Sequence, residues 1–186
     1  EKEFDRFYQY AQVLLEETSF TEAMIATFSA VLASPEFLFQ CSQPGKLDDF
    51  ALAERLSFFL GESMPDETLS KLARTGKLRV AVNLKKQVDR LIDKPEFNRF
   101  VQEFLKAWLQ LDEINDTDPD RELYPEYAGD WWLVNSMIKE SQLFFADLVV
   151  NNRPASGLID SDYTFLDERL ARHYGVDGQQ GPVFKR

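Results

Sequence analysis

Carboxylates supply most of the side chains in this sequence that could do chemistry. Asp112, Glu113, Asp116, Asp118, Asp120, Glu122 and Glu126 crowd one polar stretch. Within it Asp116, Asp118 and Asp120 alternate as the opening ligands of an EF-hand loop do, and hard oxygen donors at that spacing can converge on a calcium ion. The pattern then stops. Arg121 stands where the loop needs Gly, Tyr127 where it needs a bidentate Glu, and Pro119 restricts the backbone between them. The plainer reading is a solvated acidic loop. No metal is assigned, and calcium on Asp116, Asp118 and Asp120 is the alternative.

A second group, Asp160, Asp162, Asp167, Glu168 and His173, lies near the C-terminus. Asp, Glu and His together can ligate a metal or move protons. Each also has a structural use: Asp167 complements the dipole at a helix start, and His173 in a last turn is favoured there as a cation. His173 is the one histidine, so a histidine-rich zinc site within this chain is excluded. Glu140 falls between Met137 and Phe144 at helical spacing and so borders an apolar face. A carboxylate there needs Arg169, Arg172 or a hydroxyl as partner, and an ion pair between two helices is the structural expectation. A general acid in a cleft is the catalytic one. If the chain catalyses a reaction, Glu140, Asp162, Glu168 and His173 are the candidates, as paired carboxylates hydrolysing a polysaccharide would require.

Tyr124, Tyr127, Trp131 and Trp132 could together make an aromatic platform for a glycan or a partner protein. Trp131 and Trp132 are adjacent and cannot share one helical face. Ordinary core and rim packing is the competing account. No G-x-S-x-G elbow, phosphate loop or G-x-G-x-x-G fingerprint is present. Cys41, the one cysteine, follows an apolar stretch and reads as an inert buried thiol. It allows no internal disulfide and no C-x-x-C-H haem attachment within the chain. No cofactor is expected in the chain itself.

Helical periodicity must position these groups. Phe4, Phe7, Tyr8, Ala11, Leu14 and Leu15 share one face of a first helix ending near Glu17. Ser19-Phe20-Thr21-Glu22 has capping-box spacing and opens a second helix to about Ala33. Ser34-Pro35-Glu36 restarts the chain, and Phe37, Leu38 and Phe39 follow as an apolar plug. Asp48 caps a helix whose stripe is Leu52, Leu56, Phe59 and Leu60, ended by Gly61. Ser63-Met64-Pro65-Asp66 opens another that closes at Thr75-Gly76, and Leu84, Val88, Leu91 and Ile92 mark the next. Phe97, Phe100, Val101, Phe104, Leu105 and Trp108 form the clearest amphipathic stripe. The longest helix runs from Trp131 to Val150, and Thr164-Phe165-Leu166-Asp167 resembles a capping box for a last helix ending before Gly175. No sustained alternation of period two interrupts this pattern, which argues against a parallel sheet.

Leu52-Ala53-Glu54-Arg55-Leu56-Ser57-Phe58-Phe59-Leu60 and Asp162-Tyr163-Thr164-Phe165-Leu166-Asp167-Glu168-Arg169-Leu170-Ala171-Arg172-His173-Tyr174-Gly175 carry a resemblance, supported by Val31–Phe39 and Glu140–Phe145. They resemble the paired helical domains of unknown function in large planctomycete-type proteins that also carry c-type cytochrome domains. Gly61 departs from that pattern, in which Trp would follow Phe-Phe-Leu. The resemblance implies a periplasmic or otherwise extracytoplasmic setting and haem-binding neighbours in the full-length protein. It implies no reaction.

The 186 residues suit one domain or two small helical subdomains. A net charge of −11 repels phosphate backbones and anionic membranes, which argues against nucleic acid. The one basic stretch, Lys77, Arg79, Lys85, Lys86 and Arg90, reads as the wet face of a helix. No apolar run reaches the ~20 residues of a membrane span. Both ends look like cuts within a longer polypeptide. The expectation is an all-α, irregular bundle of seven or eight helices, with residues 1–45 as an N-terminal helical part packed on a main domain, 46–186, in one continuous core. Its expected role is a helical scaffold or interaction module for neighbouring domains of the same protein, with the polysaccharide hydrolase as alternative.

Overall fold

The computed structural model describes residues 2–39, 45–116, 119–120, 122–125, 127 and 130–186. Among them nine α-helices form: α1 Lys2–Glu17, α2 Phe20–Leu32, α3 Pro35–Leu38, α4 Asp49–Gly61, α5 Glu67–Arg74, α6 Ala81–Ile92, α7 Phe97–Leu109, α8 Trp131–Val150 and α9 Glu168–Tyr174. No strand accompanies them among the described residues; one isolated antiparallel bridge joins Leu166 and Lys185. The fold is all-α, as the periodicity requires. No described helix is long and apolar enough to cross a membrane.

Local hydrogen bonds explain most helix starts. Ser19 and Glu22 close the expected capping box on α2: Glu22 N–H donates to Ser19 Oγ, and Ser19 N–H to Glu22 Oε2 at 3.1 Å. Asp48 accepts from Ala51 N–H at 2.8 Å and starts α4. Two boundaries differ from expectation. The ladder of α4 continues through Gly61, and Glu62 takes the left-handed cap with φ 49°, its N–H donating to Phe58 O. The last helix is capped by Asp167 and not by Thr164. Asp167 Oδ1 accepts from Leu170 N–H at 2.9 Å, and extended backbone at Asp167 places its carboxylate over the first turn.

α1 packs on α2 and α2 on α3, while α4 packs on α5, α6 and α7, α7 on α8, and α8 on α9. The core gathers Ala53, Leu60, Leu69, Ala73, Leu78, Leu91, Phe97, Val101 and Leu105 from α4–α7 and the turn before α6. Each fully buried Leu contributes about 1.5–3 kcal/mol relative to exposure. Every buried side-chain nitrogen and oxygen among the described residues has a hydrogen-bond partner. Among the described residues the apolar plug does not form: Phe37, Leu38 and Phe39 are all exposed on or just after α3, a helix of a single turn.

The basic stretch also divides. Arg79 donates through its backbone N–H and its Nε to buried Asp49, at 3.0 and 2.7 Å. Arg90 and Lys94 both reach Asp66 at 2.7 Å, while Asp66 caps α5 through Leu69 N–H. The Arg90 guanidinium holds the Asp66 carboxyl well below the usual carboxylate range; burial opposes it, and Lys94 adds to it. Lys77, Lys85 and Lys86 stay exposed. Arg79 therefore fastens α4 to the turn before α6, and Arg90 fastens α6 to the start of α5. The two do not belong to one wet face.

Candidate functional site

The candidate polar groups converge where α9 lies against α8. Glu140 is half-buried on α8, and hydroxyls satisfy both of its oxygens: Thr164 donates to Oε1 at 2.5 Å and Tyr174 to Oε2 at 2.8 Å. The expected ion pair with Arg169 or Arg172 is absent. Arg169 pairs instead with Asp130, the N-cap of α8, and Arg172 with Glu168, one turn before it in α9. Thr164 thus ties the approach to α9 onto α8, having given up the cap to Asp167. Burial, and then the hydrogen bond to Glu140, push the Tyr174 phenol up to about 12. Next to this pair, Ser136 on α8 donates to the buried Asp167 carboxylate at 2.6 Å. The arrangement is a polar latch between two helices.

The other candidate acids are dispersed in role. Glu168 accepts from Arg172 with one oxygen and from Gly181 N–H with the other, at 2.9 and 2.8 Å. Asp162 is exposed beside a shallow cavity of about 400 Å³ that Asp160, Arg153 and Tyr163 also line. Asp147, on the same side, accepts from Tyr163 and Arg153 at 2.7 and 2.6 Å. Burial raises the Asp147 carboxyl, but those bonds outweigh it and leave it below its ordinary value. His173 stands edge-on to the Tyr127 ring at 5.8 Å and tilted against Tyr174. No catalytic pair of open carboxylates is assembled from Glu140 and Glu168.

In the acidic stretch, Asp118 and Glu126 lie outside the described residues, as does Cys41. Asp116 is exposed, and Asp120 Oδ1 accepts from Glu122 N–H and Leu123 N–H at 2.8 and 3.1 Å, an Asx turn. Among the described residues no three His, Cys, Asp or Glu side chains are grouped to hold a metal ion. The predicted aromatic platform is partly gathered. Tyr124 is exposed and edge-on to Tyr127 at 6.5 Å; Tyr127 is half-buried, its hydroxyl donating to Met137 Sδ at 3.3 Å. Trp132 is 67% exposed on the first turn of α8, where Asp130 accepts from its N–H. The Trp131 side chain is outside the described set.

A larger aromatic surface lies elsewhere, on residues expected to be core. Phe59 of α4 meets Phe100 of α7 at 4.8 Å, Phe100 meets Phe104 at 5.4 Å, and Phe104 meets both Trp108 and Phe145 of α8, at 5.7 and 5.3 Å. The row is packed on one side and open on the other: Phe59 is 60% exposed and Trp108 51%. Beside it Leu52, Leu56, Phe58 and Phe59 line a hollow of about 650 Å³. The stripe Phe97, Phe100, Val101, Phe104, Leu105, Trp108 is too wide for α4 and α8 to cover. Only Phe97, Val101 and Leu105 are fully buried. That width, six apolar positions in twelve residues with three aromatics at its edge, was the one signal in the sequence that pointed to this surface.

A family model described as PSD4, protein of unknown function (DUF1592), matches residues 47–176, which is α4 to α9. No curated protein matches, and no solved structure does.

Proposed function

The chain belongs to that family of unknown function, DUF1592, and we propose that it serves there as a non-catalytic helical scaffold that binds neighbouring domains of a larger extracytoplasmic protein. On the resemblance of its two long motifs, c-type cytochrome domains of a planctomycete-type protein are the neighbours it would hold. The observation that carries this reading is the open aromatic row from Phe59 to Trp108, with its adjoining hollow. Clustered exposed aromatic rings are uncommon on surfaces that contact only water, and they supply the desolvated anchors of interfaces. Exposed Trp132 and Tyr124 add smaller anchors of the same kind. Two of the carboxylates a hydrolase would use have other employment: both oxygens of Glu140 and of Glu168 accept hydrogen bonds within the fold.

The test is capture of the purified remaining domains of the same full-length protein by this chain immobilised on a resin. Capture by the wild-type chain that falls at least about tenfold in Phe59→Ser/Trp108→Ser supports the reading. No capture, or capture indifferent to that double variant, overturns it.

A further inference from the structure

α1, α2 and α3 lie outside the residues the family model matches, and they form an open groove of about 760 Å³. Its walls include Phe4, Tyr8 and Leu15 from α1, Met24 and Phe28 from α2, and Phe37 from α3. These are large apolar groups left in water: Phe4 is 71% exposed and Phe28 59%. From Phe4 to Leu15 the α1 wall runs about 16 Å, three helical turns. A partner helix presenting anchors at i, i+3 or i+4, and i+7 needs a groove of that length. Met24 adds an unbranched side chain that adapts to what it meets.

Charge chooses the occupant. Residues 2–39 carry six carboxylates against two cations, Lys2 and Arg6. Among the described residues the groove lining contains Glu36 and no cation; at its rim Arg6 lies over the ring of Phe7 and is committed to Glu36 at 3.3 Å. Exposed Asp5 lies three residues before Tyr8, and exposed Glu16 four residues after Gln12, so both edge the same side of α1 as the groove. A second copy of this chain, with net charge −11, would bring negative surface to a negative rim. We propose that the α1–α3 groove binds a basic amphipathic helix of a partner polypeptide, its apolar stripe seated on Phe4, Tyr8 and Phe28 and its Lys or Arg residues beside Asp5 and Glu16. This rests on the scaffold reading for its premise but uses a different surface, so the two fail separately.

The test titrates the full chain against a fluorescein-labelled helical peptide of about four turns, with Leu at i, i+3, i+4 and i+7 flanked by Lys, and against the same peptide flanked by Glu. The Lys peptide should bind at least about tenfold tighter than the Glu peptide and weaken as salt rises. Phe28→Ser should weaken it about tenfold. Asp5→Lys/Glu16→Lys, at exposed positions that leave folding intact, should abolish the preference for Lys. Phe59→Ser/Trp108→Ser should change nothing here, whatever it does to capture of the other domains. Absent binding, equal binding of the two peptides, indifference to the Asp5/Glu16 double variant, or a dimer in solution that Phe28→Ser converts to monomer would each overturn the proposal. The last outcome would assign the groove to a second copy.

Discussion

α1–α3 and α4–α7 are both amphipathic and rich in Phe and Leu, yet they bury their apolar residues very differently. In α1–α3 and the cap before α3, the fully buried described residues are Ala23, Thr27 and Ser34, none larger than Thr. In α4–α7 and the turn between α5 and α6, Leu69, Leu78 and Leu105 are withdrawn almost completely from water, together with Phe97 and Val101. The N-terminal helices have one another to pack on, whereas α4 touches three neighbours. A helix pair covers one strip of each partner; a third and a fourth helix are needed before a side chain is enclosed on all sides. The difference teaches that an apolar stripe reports which face avoids water, and the number of neighbours decides whether it succeeds.

The sharpest way to break this comparison is to truncate one large side chain in each region. Leu105→Ala should cost about 3 kcal/mol in urea unfolding, since it opens a cavity in a filled core. Phe28→Ala should cost under about 1 kcal/mol, because most of its ring is already in water. Equal costs would mean that the groove is covered in solution.

A smaller effect is expected at Asp66. Asp66→Ala removes a helix cap and two partly exposed ion pairs, for about 2 kcal/mol in all. Its carboxyl is depressed in the folded chain, so its stabilisation is complete above its ordinary value of 3.8 and is lost as pH falls below it. The wild-type melting temperature should therefore drop more steeply than that of Asp66→Asn between about pH 5 and pH 2. Parallel acid curves would remove Asp66 from the ties that hold α5 to α6.

The latch between α8 and α9 gives a smaller, spectroscopic effect. Tyrosinate absorbance should show one phenol titrating near 12, and Glu140→Gln should return it towards the ordinary 10.0. A raised phenol pKa means that the neutral form is favoured on folding. That contribution is present below pH 10 and disappears as pH rises through about 12. An unmoved titration would show that Glu140 does not hold Tyr174 in solution. The least change of all belongs to Phe59→Ser/Trp108→Ser, whose melting temperature should stay close to wild type while partner capture falls. A large loss of stability there would place the aromatic row with the core after all.

Much of the helical layout was legible in advance. Ser19 and Glu22, Asp48 before α4, and the extent of α8 follow from hydrogen bonds and spacings within one turn. Thr164 and Asp167 both suit a helix start, Asp167 somewhat better, while the capping-box spacing pointed to Thr164 for α9. What separated them was Glu140, which accepts the Thr164 hydroxyl from 24 residues away. Arg79 and Arg90 looked like solvated cations until the fold brought Asp49 and Asp66 to them, 30 and 24 residues distant. Of the candidate site, Trp132 and Tyr124 stood out as aromatic residues next to a polar stretch, while Phe59, Phe104 and Trp108 were hidden inside a pattern that looked like core.

By itself the sequence determined that this chain is helical, where most of its helices begin and end, and which faces are apolar. Those properties depend on interactions spanning three or four residues, and the residues involved are written side by side. Tertiary structure alone decided which faces are covered, that hydroxyls and not arginines satisfy Glu140, and that an aromatic row and a groove remain open. Coverage depends on how many helices converge on a point in space, and neighbouring residues in the chain carry no record of that number.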